Sequence, residues 1–138
     1  MFAAKSLSVK SWADLGGKSV AVTRGAIEDQ ELNKVAPANT DIKRFEDNNA
    51  TVSAFVSGQT QLIATGASVA GNMIQKNPQL GAEYKLLLKD SPNFIGVGKG
   101  EDALRLKVNE VIAAAKKAGD IDKLANKWLG RPAGDLPQ

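Results

Sequence analysis

The stretch SWADLGGKSVAVTRGAIEDQ, residues 11–30, decides the fold of this chain. Within it, the apolar run at residues 19–23 is short, rich in β-branched side chains and bounded by Gly17 and Gly25. These are the properties of a buried parallel strand. Gly25 then opens a segment, residues 27–35, that favours a helix. The stretch therefore predicts one strand, a glycine turn and one helix, which is the repeating unit of an α/β fold.

The same alternation continues along the chain. Further strands are predicted at residues 41–45, 62–65, 84–88 and 94–97. A helix is predicted after the strand at residues 41–45, with Asn48 as N-cap and Gly58 at its end. Another is predicted after the strand at residues 62–65, with Ser68 as N-cap and Pro78 at its end. Strands and helices at this spacing form right-handed crossovers. The sequence therefore predicts an α/β fold with a mostly parallel sheet and helices on both faces.

The last third of the chain differs in pattern. Residues 101–118 carry one apolar stripe at helical spacing, and residues 120–129 carry another. Gly119 separates the two segments, Asp120 is predicted to cap the second helix, and Gly130 with Pro132 ends it. We therefore expect a C-terminal helical hairpin at residues 99–131, after an α/β domain at residues 1–98 and before a tail at residues 132–138. Trp12 and Trp128 are both expected to pack in the core.

The composition excludes several classes of function. The chain has 138 residues, of which 43% are hydrophobic, and it contains no cysteine and no histidine. Disulfides, a Ser-His-Asp triad, an imidazole general base and a Cys- or His-ligated metal are therefore impossible within it. We expect no enzyme, no bound metal and no cofactor.

The charge and hydropathy patterns also argue against two kinds of partner. The formal net charge of +3 is spread along the chain, without the concentrated basic face that nucleic acids require. No apolar stretch approaches the roughly 20 residues of a transmembrane helix. Residues 1–5 are too short for a signal peptide.

Two loops are the candidates for binding, because functional loops of an open α/β sheet follow the carboxyl ends of its strands. Each leads into a helix whose first N–H groups lack partners within the helix and can hold a carboxylate. The alternative, to which we give equal weight, is that both loops are ordinary tight turns between a strand and a helix and bind no ligand. The candidate ligand-binding residues are Arg24, Gly25, Ala26, Ile27, Glu28, Thr65, Gly66 and Ser68.

Several strings resemble one protein family. They are the opening SWADLGGKSVAV, the segment FEDNNATVSAFVSGQTQLIATGASVAG at residues 45–71, the segment NFIGVGKGEDALRLKVNEVI at residues 93–112, and GDIDKLANKWLG at residues 119–130. Together they resemble the second lobe and C-terminal helices of bacterial extracellular solute-binding proteins, the polar amino-acid-binding kind that serves ABC importers. The resemblance implies one lobe of a periplasmic-binding-protein type II fold. Such proteins have two lobes that close on a ligand, and this chain starts about where the first lobe would end.

The sequence departs from this family at the ligand-binding positions. The hydroxyl residues expected after Gly25 are Ala26 and Ile27, and Gly66 stands where the family has a carboxylate for the ammonium group of the ligand. Gln61 replaces a second aspartate of the pattern. The arginine that holds the ligand carboxylate belongs to the absent first lobe. Both charge-assisted contacts that dominate amino-acid affinity are therefore expected to be missing.

The resemblance implies a solute-binding component, or a partial lobe of one, for an ABC amino-acid-type importer. Its partners would be a small polar ligand, such as an amino acid or a carboxylate, and the membrane component of the transporter. Its location would be periplasmic or extracellular. The alternative is an interaction or structural module that has lost ligand binding and forms a homodimer through its C-terminal helices. An enzyme is the weakest alternative, because histidine and the carboxylate at position 66 are both missing.

Overall fold

The computed structural model of the protein describes residues 1–92 and 94–134. The chain divides into two compact units, Met1–Asp90 and Ser91–Gln138. The first unit contains the sheet, and the second contains two helices.

The first unit is built on one five-stranded sheet, and its strands are β1 (Phe2–Ala4), β2 (Ser19–Thr23), β3 (Asp41–Phe45), β4 (Leu62–Ile63) and β5 (Ala82–Tyr84). Their order across the sheet is β3-β2-β4-β1-β5. β2 pairs in parallel with both β3 and β4, whereas β1 pairs antiparallel with both β4 and β5. Only β1 therefore runs against the other strands described here, and the prediction of a mostly parallel sheet is confirmed.

Three helices cover the two faces of this sheet: α1 (Ile27–Val35), α2 (Asn48–Val56) and α3 (Ala67–Lys76). Side chains alternate along a strand, so Val20 and Val22 of β2 join Leu32 of α1 in one buried cluster. Ala21 lies on the opposite face with Phe55, Ala70 and Met73, which come from α2 and α3. The prediction of helices on both faces is confirmed.

Three predictions about the strands are wrong. β4 ends at Ile63 and not at residue 65, β5 spans Ala82–Tyr84 and not residues 84–88, and residues 94–97 have no strand. In addition, no strand was predicted where β1 lies. The apolar residues at 86 and 88 pack against the core without extending the ladder. Phe94 and Ile95 are exposed. An apolar run becomes a strand only where another strand can accept its hydrogen bonds, and the sequence alone does not identify that partner.

The helix boundaries in the first unit fit the predictions to within a few residues, but the N-caps of α2 and α3 differ. Asp47 caps α2 by accepting a hydrogen bond from the Ala50 amide at 2.8 Å, so Asn48 is already helical. Gly66 is the N-cap of α3, and Ser68 lies inside the first turn. An N-cap needs extended backbone, which Asp47 and Gly66 have.

The second unit contains a helical hairpin formed by α4 (Asp102–Lys117) and α5 (Asp120–Leu129). Gly119, with a φ of 74°, lies between the two helices and is the N-cap of α5, a role that had been predicted for Asp120. The hairpin exposes apolar side chains, among them Leu104 at 50%, Val111 at 58% and Trp128 at 58%. Trp12 packs against the core as predicted, whereas the prediction of a core position for Trp128 is wrong. Within the described residues, no helix is long and apolar enough to cross a membrane.

Candidate functional site

The candidate site lies at the edge of the sheet where three parallel strands end. Val20 and Ala21 of β2 pair with Leu62 and Ile63 of β4, and the register between β2 and β3 runs from Ser19 opposite Asp41 to Thr23 opposite Phe45. The carboxyl ends of β3, β2 and β4 are therefore neighbours. The loops that follow them start side by side, in the position where open α/β sheets bind ligands.

The loop after β2 is a tight turn fixed by backbone and side-chain hydrogen bonds. The Ala26 amide donates to the Thr23 carbonyl at 3.1 Å. Gly25 has a φ of 71°, its amide donates to Asp29 Oδ2 at 3.0 Å, and its carbonyl accepts from Gln30 Nε2 at 3.1 Å. The left-handed conformation explains why this position is a glycine. Ala26, the N-cap of α1, has no hydroxyl or carboxylate to bond the first amides of the helix.

An ion pair between the buried Asp29 and Arg44, whose side chain is 37% exposed, fixes the start of α1. Asp29 is only 6% exposed, and both its carboxylate oxygens accept from Arg44 Nε, at 2.9 and 3.1 Å. Asn33 completes the network, because its amide donates to Asp29 Oδ1 at 3.0 Å and its carbonyl oxygen accepts from Arg44 at 2.8 Å. The charge of Asp29 is therefore compensated within the fold. Sequence reasoning missed this network, because no local spacing relates position 29 to position 44.

The loop after β4 leads into α3 without a side-chain cap. Gly66 is the N-cap of α3 and has φ −62° and ψ 151°, an extended conformation that any residue can adopt. Thr65 and Gly66 are half-buried, and Ser68 is exposed in the first turn. The first amides of α3 therefore face the same edge of the sheet as those of α1, and neither N-cap supplies a side-chain acceptor.

The two predicted loops meet at Glu28 and Gly66. A Cβ atom placed on Gly66 would lie 3.7 Å from Glu28 Oε1, and among the described residues no other atom beyond the adjoining backbone comes within 4 Å of it. Glu28 is half-buried. Within residues 1–92 and 94–134 it forms no hydrogen bond and no ion pair, so its carboxylate is available.

A third loop, residues 46–47 between β3 and α2, joins the site together with the first residue of α2, and it was not predicted. Arg24 pairs with Glu46 at 3.2 Å, with both side chains mostly exposed at 62% and 78%. Thr23 Oγ1 donates to Asn48 Oδ1 at 2.8 Å and lies 2.9 Å from Thr51 Oγ1. An exposed pair of this kind contributes little, so Arg24 can leave Glu46 for a ligand at small cost.

The arrangement suits a small polar molecule. It combines uncapped amides at two helix starts, one unpaired carboxylate at Glu28 and an exposed apolar side chain at Ile27. Among the described residues, no group of three or more possible ligands is placed to hold a metal ion. A separate open cavity of about 650 Å³ lies between α2 and α3, and its lining includes Asn49, Asn72 and Lys76 but none of the eight predicted residues.

Known proteins resemble this chain in both sequence and fold, although no family model matches it. The glutamine-binding protein GlnH of an ABC transporter from Bacillus subtilis is 29% identical over 129 residues, covering 91% of this chain and 45% of GlnH. A protein described as a sensor from Shewanella frigidimarina is 27% identical over 124 residues, covering 88% of this chain and 18% of that protein. Among solved structures, an ancestral arginine-binding protein bound to glutamine is 31% identical, with a TM-score of 0.61, covering 94% of this chain and 58% of that one.

These comparisons bear out the resemblance seen in the sequence. The solved neighbours have the periplasmic-binding-protein type II fold, and the relatives that bind amino acids are solute-binding proteins rather than enzymes. The chain spans about half the length of the curated binding proteins it matches, 45% and 53% for two of them. The chain is therefore similar, in both sequence and fold, to part of the polar amino-acid-binding proteins of ABC transporters.

Proposed function

We propose that this chain is a ligand-binding lobe of a solute-binding protein for an ABC amino-acid-type importer. The observation that carries the proposal is the meeting of the loops after β2 and β4 at Glu28 and Gly66, on the strand edge where ligands bind in open α/β sheets. The similarity to glutamine- and arginine-binding proteins supports it. The ligand contacts are assigned to Arg24, Gly25, Ala26, Ile27, Glu28, Thr65, Gly66 and Ser68.

Each part of the site has a role in this proposal. The uncapped amides at the starts of α1 and α3 bind acceptor groups of the ligand, such as its carboxylate. Arg24 adds up to five N–H donors once it leaves Glu46. The hydroxyls of Thr65 and Ser68 bind further polar atoms, and Ile27 packs against the aliphatic part of the ligand.

The proposal extends to the partners and the location of the protein. The lobe works with the membrane component of the transporter, and its place is periplasmic or extracellular. Self-association as a homodimer is a further part of the proposal, because the hairpin exposes large apolar side chains.

Affinity of this chain alone is expected to be low. Binding between two lobes draws on contacts from both, and half a site keeps only part of the interaction while it still has to order the ligand. We expect dissociation constants weaker than micromolar for the standard amino acids. Isothermal titration that gave a micromolar or tighter constant for any of them would contradict this expectation.

The location of binding is tested by NMR of the uniformly ¹⁵N-labelled chain. Millimolar L-arginine and L-glutamine should shift the amide signals of residues 24–28 and 65–68, because these amides line the proposed site. Signals from the cavity between α2 and α3 serve as the internal reference. Shifts confined to that cavity, or no shifts with either amino acid, would overturn the proposal.

A second candidate function rests on the sensor relative. A lobe of this fold can serve as a ligand-responsive domain, in which case the same loops bind the ligand and the partner is a signalling domain in place of a transporter. The NMR titration tests the binding step that both candidates share. The alternative of a structural module without a ligand has no support in the comparisons.

A further inference from the structure

We propose that Glu28 provides the negative charge that binds the cationic group of the ligand, an ammonium or a guanidinium. This inference rests on the proposed function and adds a specificity-determining residue to it. It reverses one expectation from the sequence, namely that the loss of a carboxylate at position 66 leaves the lobe without recognition of a cation.

The position of Glu28 is the first argument. Its Oε1 lies 3.7 Å from the place of a Cβ atom on Gly66, so the carboxylate from the first loop occupies the space in front of the second. A side chain at position 66 would project into the same space. The glycine therefore leaves room for a carboxylate that arrives from α1.

The second argument is that Glu28 is unpaired while its acidic neighbours are compensated. Asp29 is bound by Arg44, Glu31 by Lys34 and Lys89, and Glu46 by Arg24. Glu28 has no such partner among the described residues, although it is half-buried between two loops. A partly desolvated carboxylate without a counter-charge costs free energy, which a bound cation recovers.

The third argument is that Glu28 does not act as a cap for α3. A capping carboxylate accepts a hydrogen bond from an amide in the first turn, as Asp47 does for Ala50 at 2.8 Å. Glu28 accepts none among the described residues, and Gly66 has no side-chain cap. Glu28 lies in the first turn of α1, so the helix dipole stabilises its charge while both carboxylate oxygens stay available to a ligand.

The test compares Glu28→Gln with Glu110→Gln in the 138-residue chain, with two probes followed by NMR. Glu110 is an exposed carboxylate on α4, so the control removes the same charge elsewhere. L-Arginine carries the cationic groups, and glutarate is a dicarboxylate without them. We expect Glu28→Gln to weaken L-arginine binding about tenfold or more and to leave glutarate binding equal or tighter. Glu110→Gln should change neither.

A charge swap distinguishes ligand binding from a structural role. The backbone at Gly66 accepts any residue, and the 3.7 Å between an added Cβ and Glu28 Oε1 is an ordinary van der Waals distance. The double variant Glu28→Gln with Gly66→Asp returns a carboxylate to the same space from the other loop. We expect it to recover most of the L-arginine affinity, with thermal unfolding like that of Glu28→Gln.

The outcomes separate this inference from the proposed function. If L-arginine shifts the loop signals equally in the wild type and in Glu28→Gln, the lobe binds ligand but the role of Glu28 is refuted. The inference is also refuted if the swap restores nothing while the variant remains folded. If neither probe shifts the loops of the wild type, the proposed function and the inference fall together.

Discussion

Gly25 and Gly66 illustrate how two glycines at one site differ physically. Gly25 has a φ of 71°, in the left-handed region that costs other residues about 1–2 kcal/mol. Gly66 has a φ of −62° and needs no such freedom. The first glycine is therefore required by the turn, whereas the second only keeps space free in front of Glu28.

We expect Gly25→Ala to lower the free energy of unfolding by about 1–2 kcal/mol, because no atom lies within 4 Å of the added Cβ and only backbone strain is introduced. Gly66→Ala is the matched control and should change it by less than about 0.5 kcal/mol. Urea denaturation of the three proteins measures both values. An equal loss of unfolding free energy in the two variants would show that the turn does not require a glycine at position 25.

At the residue scale, the sequence predicts which loops form the edge of the site but not which atoms meet there. The apolar runs predict strand ends at residues 23 and 65, and the structure has them at Thr23 and Ile63, so the candidate loops could be named in advance. The contact between Glu28 and Gly66 depends on the direction in which α1 leaves the sheet. The ion pair of Asp29 with Arg44 depends on the register of β3 against β2.

At the scale of elements, Glu31 links α1 to the segment after β5. Its carboxylate Oε1 accepts from Lys34 Nζ and from Lys89 Nζ, each at 3.0 Å. These hydrogen bonds, first of all the one from Lys89, hold the pKa of Glu31 below its ordinary value of 4.5. The link therefore stabilises the fold fully above the unfolded-state pKa, and the stabilisation is lost as the pH falls through the lower folded-state pKa.

We expect Lys89→Ala to raise the pKa of Glu31 towards 4.5, because Lys34 alone remains beside the carboxylate. Titration of the side-chain carboxyl ¹³C signal measures this pKa in both proteins. Lys99→Ala removes an exposed lysine outside the first unit and should leave it unchanged. Any loss of stability in Lys89→Ala at neutral pH should vanish in acid, where Glu31 is protonated. An unchanged pKa would mean that the link does not form in solution.

The sequence predicts well those elements whose apolar pattern and bounding residues lie close together along the chain. β2 and β3 have the predicted bounds, α1 matches residues 27–35, and a glycine with positive φ follows each hairpin helix within two residues. The apolar run and the bounding residues that mark each of these elements are only a few residues apart. The short strand β1 has no such local pattern. Its residues form a strand only because they pair with β4 and β5, which lie far along the chain.

At the scale of the whole molecule, burial of the exposed apolar side chains of the hairpin would be favourable. Besides Leu104, Val111 and Trp128, the side chains of Leu106 and Leu124 are 60% and 53% exposed. Fully burying one large apolar side chain is worth about 1.5–3 kcal/mol. A second copy of the chain offers the same surface, and two-fold pairing of identical patches is the commonest way to bury one.

We expect light scattering after size exclusion to give a mass near twice the 14.5 kDa of the chain at micromolar concentration. Trp128→Glu should lower that mass, because it places a charge within the apolar surface. Asn109→Glu adds the same charge at an exposed polar position of α4 and should leave the mass unchanged. A monomeric wild type would refute self-association and leave another protein or another part of a longer chain as the cover.

The position of β1 in the sheet sets the order in which the first unit can fold. β1 lies between β4 and β5, and it is the only described strand that pairs with β5. The ladder from Phe2 to Tyr84 closes a loop of almost the whole unit, whereas β2, β3 and β4 lie close together in sequence. Loop-closure entropy delays such long-range pairing. The edge that carries the candidate site can therefore assemble first, and the docking of β1 with β5 is the late, slow step of folding.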